Sequence, residues 1–190
     1  MQLYLIRHPL PDVSLDVCYG RLDVGLADPV DQALARLHRH LPQGVPVYSS
    51  ALQRCRSLAE GLSAEQGKTP IFDDRLMEMS FGAWEKQRWD AIDRTSLDAW
   101  AADMLNYVPP GGESAAQVLQ RAQSFIGDVV TKNKDAIVVT HGGILRVLMA
   151  NWLGLPPSHW RRLSFEFGGV SKVVLDDQAT DSARIAFINR

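Results

Sequence analysis

Three stretches of this sequence carry side chains suited to one kind of chemistry. Near the start, the apolar run Leu3-Tyr4-Leu5-Ile6 leads straight into Arg7, His8 and Pro9. Far downstream, Ala136-Ile137-Val138-Val139 leads into Thr140, His141, Gly142 and Gly143. Between them, "VYSSALQRCRSLAE" passes through Ser49 and Ser50 into a stretch carrying Arg54 and Arg56. An imidazole near neutral pH can act as nucleophile or proton carrier. Guanidinium groups offer forked donors and permanent charge, the combination a phosphate dianion needs. A helix N-terminus beside an arginine adds a further anion-binding feature. Each signal alone is weak, because a strand-end histidine or a helical arginine is commonly structural. Together they are stronger, since every cluster follows an apolar run of the kind that forms a buried strand.

Those side chains meet only if the elements carrying them are arranged around one rim. Residues 2–7 read as a first strand, ended by Pro9, which has no N–H to continue a ladder. Residues 28–41 place Val30, Ala33, Leu34, Leu37 and Leu41 at helical spacing, with Asp28 as cap and Pro29 at the first helical position. A short strand at 45–48 precedes a helix capped by Ser49 or Ser50 that runs through Leu52, Cys55, Leu58, Ala59 and Leu62 to near Gly67. Residues 70–72 read as a third strand. An irregular insertion at about 73–112 holds Trp84, Trp89, Trp100 and Tyr107, with short helices near 86–94 and 96–105. A helix at 114–131, a strand at 136–140 and a helix at 143–153 follow. The tail alternates like strands at 163–167, 170–175 and 184–188, broken by Gly168-Gly169.

Strands separated by helices predict an α/β fold: a three-layer α/β/α sandwich whose central sheet is mostly parallel, with helices on both faces. In such sheets ligands sit beyond the carboxyl ends of the strands. If the strands ending at Arg7 and Thr140 are parallel neighbours, their imidazoles project at one rim, ~5 Å apart in strand spacing. With no repeat, low-complexity stretch or linker, residues 1–190 are expected to form a single domain.

The 190 residues carry a net charge of −2, with 46% hydrophobic and 22% charged residues. That balance gives no reason to expect nucleic acid or a membrane surface as partner. No apolar run approaches the ~20 residues needed to span a bilayer, so a cytoplasmic location is expected. Cys18 and Cys55 form no Cys-x-x-Cys pair and are read as reduced, structural thiols.

Set beside known families, the chain resembles the histidine phosphatase, or phosphoglycerate-mutase-like, superfamily. "LIRH" is similar to the signature around that family's nucleophilic histidine, and "SSALQRCRSLAE" to the helix bringing a second arginine. "LMEMSFGAWE" resembles the segment bearing an acid, "PPGGES" the turn before a long helix, and "VVTHGG" the second histidine. The five matches occur in the family's order between Leu3 and Arg146. The resemblance implies a metal-independent phosphomonoesterase without a cofactor. His8 would be the nucleophile, Arg7, Arg54 and His141 would hold the phosphoryl oxygens with Gly142 beside them, and Glu78 would be the acid. The implied partner is a small phosphorylated metabolite, and a homodimer is compatible with the sequence.

Within the family the chain departs from the common pattern. Pro9 stands where glycine usually follows the histidine, Leu10-Pro11 replaces Glu-Thr, and Lys86 replaces the glycine after "WE". Pro9 followed by "PDVSLDVCYGRLDVGLA" is similar to the bacterial α-ribazole phosphatase branch, which removes the 5′-phosphate of α-ribazole phosphate during cobalamin biosynthesis. That likeness would bring Arg21 to the site as a phosphate or substrate contact; a surface salt bridge is the other reading. The tryptophans of the insertion either stack on a substrate base as a lid or pack the insertion against the core. A phosphoglycerate mutase, a broad-specificity phosphatase and a non-catalytic phospholigand-binding protein are the competing functions. Other phosphate motifs fail: Leu62 spoils a phosphate-binding loop ending at Gly67-Lys68-Thr69, and no arginine follows Cys18 or Cys55 at cysteine-phosphatase spacing.

Overall fold

The strand expected at the start forms as β1 (Gln2–Arg7), and its partner forms as β4 (Ala136–Thr140). The computed structural model describes residues 1–132, 134–176 and 179–190. β1 and β4 pair in parallel with Leu3 opposite Ala136 and Arg7 opposite Thr140. Their side chains are buried on both faces, which is why both read as continuous apolar runs rather than alternating ones. With β2 (Val47–Ser49), β3 (Ile71–Phe72), β5 (Val170–Asp176) and β6 (Ala179–Phe187) they make a six-stranded sheet of order β3-β2-β4-β1-β5-β6. The pairs β3–β2, β2–β4 and β4–β1 are parallel, while β5 runs antiparallel to both β1 and β6.

Strand alternation sends the apolar side chains into two layers. Leu3, Leu5, Val138 and Val173 pack against α4 (Ala115–Val130) and α5 (Gly142–Trp152), where Val118, Ala122, Phe125, Ile144 and Leu148 meet them. Tyr4, Ile6, Val47, Ile137 and Val139 face the opposite layer, made by Ala33 and Leu37 of α1 (Val30–Leu37) and Cys55, Leu58 and Leu62 of α2 (Gln53–Ala64). The three-layer α/β/α sandwich with a mostly parallel sheet is therefore as expected.

Element ends differ from the sequence expectation for local reasons. Pro29 is the cap residue of α1, outside the helix, and no side chain caps that end, so Asp28 does not serve. α2 begins at Gln53 with Leu52 as its cap, and neither serine caps it. Asp23, from a distant loop, instead accepts a bond from Gln53 N–H at 2.6 Å. α4 carries the anticipated N-terminus, with a capping box in which Ser114 and Gln117 bond each other's backbone. The helix expected at 86–94 is one 3₁₀ turn at Trp89–Ala91, and the next helix, α3, spans Arg94–Ala102 with Asp93 accepting from Ser96 N–H. The stretch 163–167 is not a strand; it folds as an irregular loop across the end of β1.

The insertion builds a small core of its own. Cys18, Trp84 and Ile92 are buried there beneath Phe81, Trp89, Leu97, Trp100 and Tyr107. Trp84 stacks on Tyr107 with centroids 5.8 Å apart, and Trp89 on Trp100 at 6.1 Å. Backbone bonds from Cys18 N–H to Gln87 O and from Lys86 N–H to Cys18 O, both 2.8 Å, stitch it to the loop after β1. Lys86 makes that bond with φ at +73°, in the left-handed region where a Cβ is strained. A glycine at this position would thus have a backbone reason. Lys86→Gly is expected to raise the unfolding free energy by about 0.5–1 kcal/mol, the relief of the Cβ exceeding the entropy cost of glycine. A denaturant midpoint equal to or below that of the parent protein would contradict this.

Candidate active site

The β1–β4 register continues one residue past each strand. His8 N–H donates to Thr140 O at 2.9 Å, and the His8 and His141 rings lie edge to face with centroids 5.2 Å apart. Both imidazoles are essentially inaccessible, at 1% and 0% exposure. His8 Nδ1 lies 2.7 Å from Pro9 O, and because a carbonyl only accepts, Nδ1 carries the proton and Nε2 keeps its lone pair. Pro9 thus ends the strand and supplies the acceptor that selects this tautomer. Ser50, the serine expected as a helix cap, turns its hydroxyl to His141 Nε2 at 2.8 Å. The thiol of Cys55 lies 3.4 Å from the same nitrogen and donates to Thr140 O.

Arg54 is fully buried on the first turn of α2. Its Nη1 donates to Leu22 O and its Nη2 to Gly20 O, each at 2.7 Å, while Nε is buried without a partner. Arg7 shows the same pattern: Nη1 donates to Phe165 O at 2.6 Å, and Nε is buried and unpartnered. Buried donors of this kind are rare in folded proteins, and these two can meet the oxygens of an anion.

Glu78 closes the group. Its Oε2 accepts from Gly143 N–H at 3.1 Å and its Oε1 from Met79 N–H at 2.9 Å. The two glycines after His141 leave room for these neighbours. A Cβ on Gly142 would stand 3.2 Å from Arg7 Nε, and one on Gly143 would stand 2.2 Å from Glu78 Oε1. The backbone carrying Glu78 is fixed from several sides. Thr140 Oγ1 donates to Leu76 O at 2.8 Å, and Glu78 O accepts from Arg21 Nε at 3.0 Å and Arg121 Nη2 at 3.1 Å. Glu113 Oε2 in turn accepts from Arg21, Arg121 and Ser80 N–H.

Arg7, His8, Arg54, Glu78, His141 and Gly142 are therefore assembled at one rim, drawn from four segments of the chain. Of the two readings of Arg21, the structure shows the salt bridge, to Glu113 at 2.9 Å. Its guanidinium is engaged by Glu113 and by the carbonyl of Glu78, so it braces the segment bearing Glu78. What the "CYGRL" stretch offers the rim is the pair of carbonyls of Gly20 and Leu22 that grip Arg54. Sequence reading missed Glu113, Arg121, Ser50 and Phe167. Glu113 lies inside the quoted "PPGGES" and Ser50 inside "VYSS", so those motifs held the signal. Phe167 had none, because its segment alternated like a strand.

A cavity of about 310 Å³ opens beside Glu78 and Arg7. Its other walls are Leu15, Val17, Tyr19, Gly20, Phe81, Trp89 and Phe167. Trp89 thus lines the cavity, while Trp84 and Trp100 pack within the insertion's own core.

Burial and, next, the field of Arg54 push the pKa of His8 down to about 3. The same causes, in the same order, hold His141 well below its ordinary value. Burial followed by Glu85 raises the Cys18 thiol to about 12, and burial raises Cys55 as well, so neither thiol is activated.

The sign of the consequence for stability follows directly. Below the ordinary histidine pKa of 6.5, the unfolded chain takes up a proton on His8 that the folded chain refuses until about pH 3. Stability is thus whole above that value and falls with pH through this window, by about 1.4 kcal/mol per unit for each imidazole so held. Urea unfolding at a series of pH values between 7 and 5 measures it. His8→Asn should flatten the slope, and an unchanged slope in that variant would show that His8 is not kept neutral by folding.

Residues 3–187 match the histidine phosphatase superfamily (branch 1). The chain is 32% identical over 169 residues to the adenosylcobalamin/alpha-ribazole phosphatase of Salmonella typhimurium, covering 82% of this chain and 81% of that protein. It is 29% identical over 173 residues to the glucosyl-3-phosphoglycerate phosphatase of Mycolicibacterium vanbaalenii, covering 84% and 77% respectively. Its fold superposes on the crystal structure of the alpha-ribazole phosphatase from Shigella flexneri with a TM-score of 0.84 at 25% identity, covering 100% of this chain and 96% of that one.

Proposed function

The chain belongs to the histidine phosphatase superfamily and is a phosphoric monoester hydrolase, and we propose that it acts through a phosphohistidine on His8 to remove the 5′-phosphate of α-ribazole phosphate. The cavity beside Glu78 is the observation that carries the substrate assignment. Its walls are apolar and aromatic, from Leu15 and Val17 to Tyr19, Phe81, Trp89 and Phe167, and Arg7 is the one cation among them. A benzimidazole base buries well against such faces. The carboxylate of a phosphoglycerate or of phosphoserine would lie there opposite Glu78 with no cation of its own, which is costly.

The chemistry proceeds in two displacements. His8 Nε2, left with its lone pair by the Nδ1–H bond to Pro9, attacks phosphorus, and a P–N bond forms as the ester P–O bond breaks. The departing alkoxide takes a proton from Glu78, which the N–H groups of Met79 and Gly143 aim. Water then attacks phosphorus on the same line, Glu78 takes its proton, and the P–N bond breaks to return His8 and release phosphate. Through both steps the unpartnered Nε donors of Arg7 and Arg54, with His141, hold the equatorial oxygens as charge redistributes over them. Because Arg54 and both imidazoles are buried from solvent, charge they meet there is weakly screened. The substrate is a small phosphorylated metabolite, and the setting of this reading is the cytoplasm.

Two measurements test it. Hydrolysis of p-nitrophenyl phosphate is expected to survive EDTA and to fall by on the order of 10⁴-fold or more in His8→Ala, whereas unchanged turnover in that variant would reject His8 as the nucleophile. In a substrate panel, kcat/KM for α-ribazole 5′-phosphate should exceed that for 3-phosphoglycerate or phosphoserine by about 100-fold or more. A preference for a carboxylated ester would overturn the substrate assignment while leaving the phosphohistidine route standing.

A further inference from the structure

We propose that Phe167 is a positioning residue for Arg7, setting the plane of its guanidinium so that phosphoryl oxygens meet its free edge. The proposal rests on the reading of Arg7 as an oxyanion donor. The Arg7 guanidinium carbon lies 3.5 Å from the centroid of the Phe167 ring, so the cation sits face-on against the aromatic plane. All donors of a guanidinium lie in its plane, and a partner that takes the face occupies none of them. Among the described residues no carboxylate pairs with Arg7. A carboxylate there would hold the group as firmly, yet would consume donors and cancel the charge an incoming dianion needs. The ring holds the orientation and leaves the charge intact.

The ring is itself fixed to the strand that it serves. Gly168 N–H donates to both Arg7 O and His8 O at 3.1 Å, and Arg7 N–H donates to Gly169 O at 3.2 Å. Gly168 adopts φ of +70°, the turn that carries the chain from the ring back to β5. On the far side Asn189 clamps the loop, its amide nitrogen donating to Ser164 O and its oxygen accepting from Glu166 N–H, both at 2.9 Å. With Nη1 held by Phe165 O, the single stretch 165–167 sets Arg7 from its face and from one corner. The Phe167 ring also lies 5.6 Å from that of His8, so movement of this loop is felt by the two residues together.

The test separates the aromatic face from mere bulk. Phe167→Leu keeps apolar volume and removes the π face, and Phe167→Tyr keeps the face; Phe167→Met repeats the first change should the leucine variant fold poorly. Each variant is assayed with p-nitrophenyl phosphate, with inorganic phosphate as competitive inhibitor, and melting curves report folding. The expected result for leucine or methionine is phosphate inhibition weakened by about 5- to 20-fold and kcat lowered to a similar degree, with tyrosine within about 3-fold of the parent. Unchanged phosphate inhibition in the leucine variant, or equal losses with leucine and tyrosine, would overturn the proposal. Because neither substrate nor inhibitor carries a ribazole group, the outcome does not depend on which metabolite the enzyme serves. Loss of all turnover in His8→Ala without any effect at Phe167 would leave the catalytic reading intact and reject this one alone.

Discussion

The parallel pairing of β1 with β4 is the constraint on which the rest of the molecule depends. With Arg7 opposite Thr140, the ladder ends in the bond from His8 N–H to Thr140 O, and both imidazoles leave the sheet at the same level. A slip of one residue would send Leu3, Leu5, Val138 and their neighbours to the opposite layer. Register and site geometry are thus specified together: the burial that selects the pairing also delivers the two histidines to one rim. The cost of burying those rings falls on their charged forms, which is why His8 is held as the free base down to about pH 3.

Around that rim the protein assembles positive charge and declines to neutralise it. Arg7 and Arg54 are anchored by backbone carbonyls and an aromatic face, none of which carries a formal charge. Carboxylates are kept for a different task. Glu113 holds Arg21 and Arg121, and those two arginines converge on the carbonyl of Glu78. One set of arginines is therefore left available to an anion, and another is paired off to brace the acid. The difference between the sets lies in what touches them, which no residue type announces.

Much of this was legible in the chain. The apolar runs at β1 and β4, the capping box of α4 and the helical periodicities of α1, α2 and α5 each state a local preference that the fold agrees with. The five motifs in order carried the family. What was not legible sits where long-range contacts override local signals. Ser50 looks like a helix cap because serine commonly is one; in the fold Asp23 takes over the helix end from 30 residues away, and the serine bonds His141 instead. Residues 163–167 alternate as a strand would, yet the sheet has no vacancy beside β1, whose neighbours are β4 and β5, so they become the loop that carries Phe167. Lys86 stands out in the chain only as a replacement for glycine, and that its backbone makes a left-handed turn is seen only in the fold.

The residue types themselves therefore determined the layers of the fold, the segments that bring chemistry to its rim, and the identity of Arg7, His8, Arg54, Glu78 and His141, because hydrophobic periodicity and motif order are properties of the chain read in one dimension. Tertiary structure alone decided which arginines meet a carboxylate and which do not, that Arg21 is paired with Glu113, and that an aromatic cavity opens beside Glu78. Those outcomes depend on distances between side chains far apart in sequence, and such distances exist only once the sheet has closed.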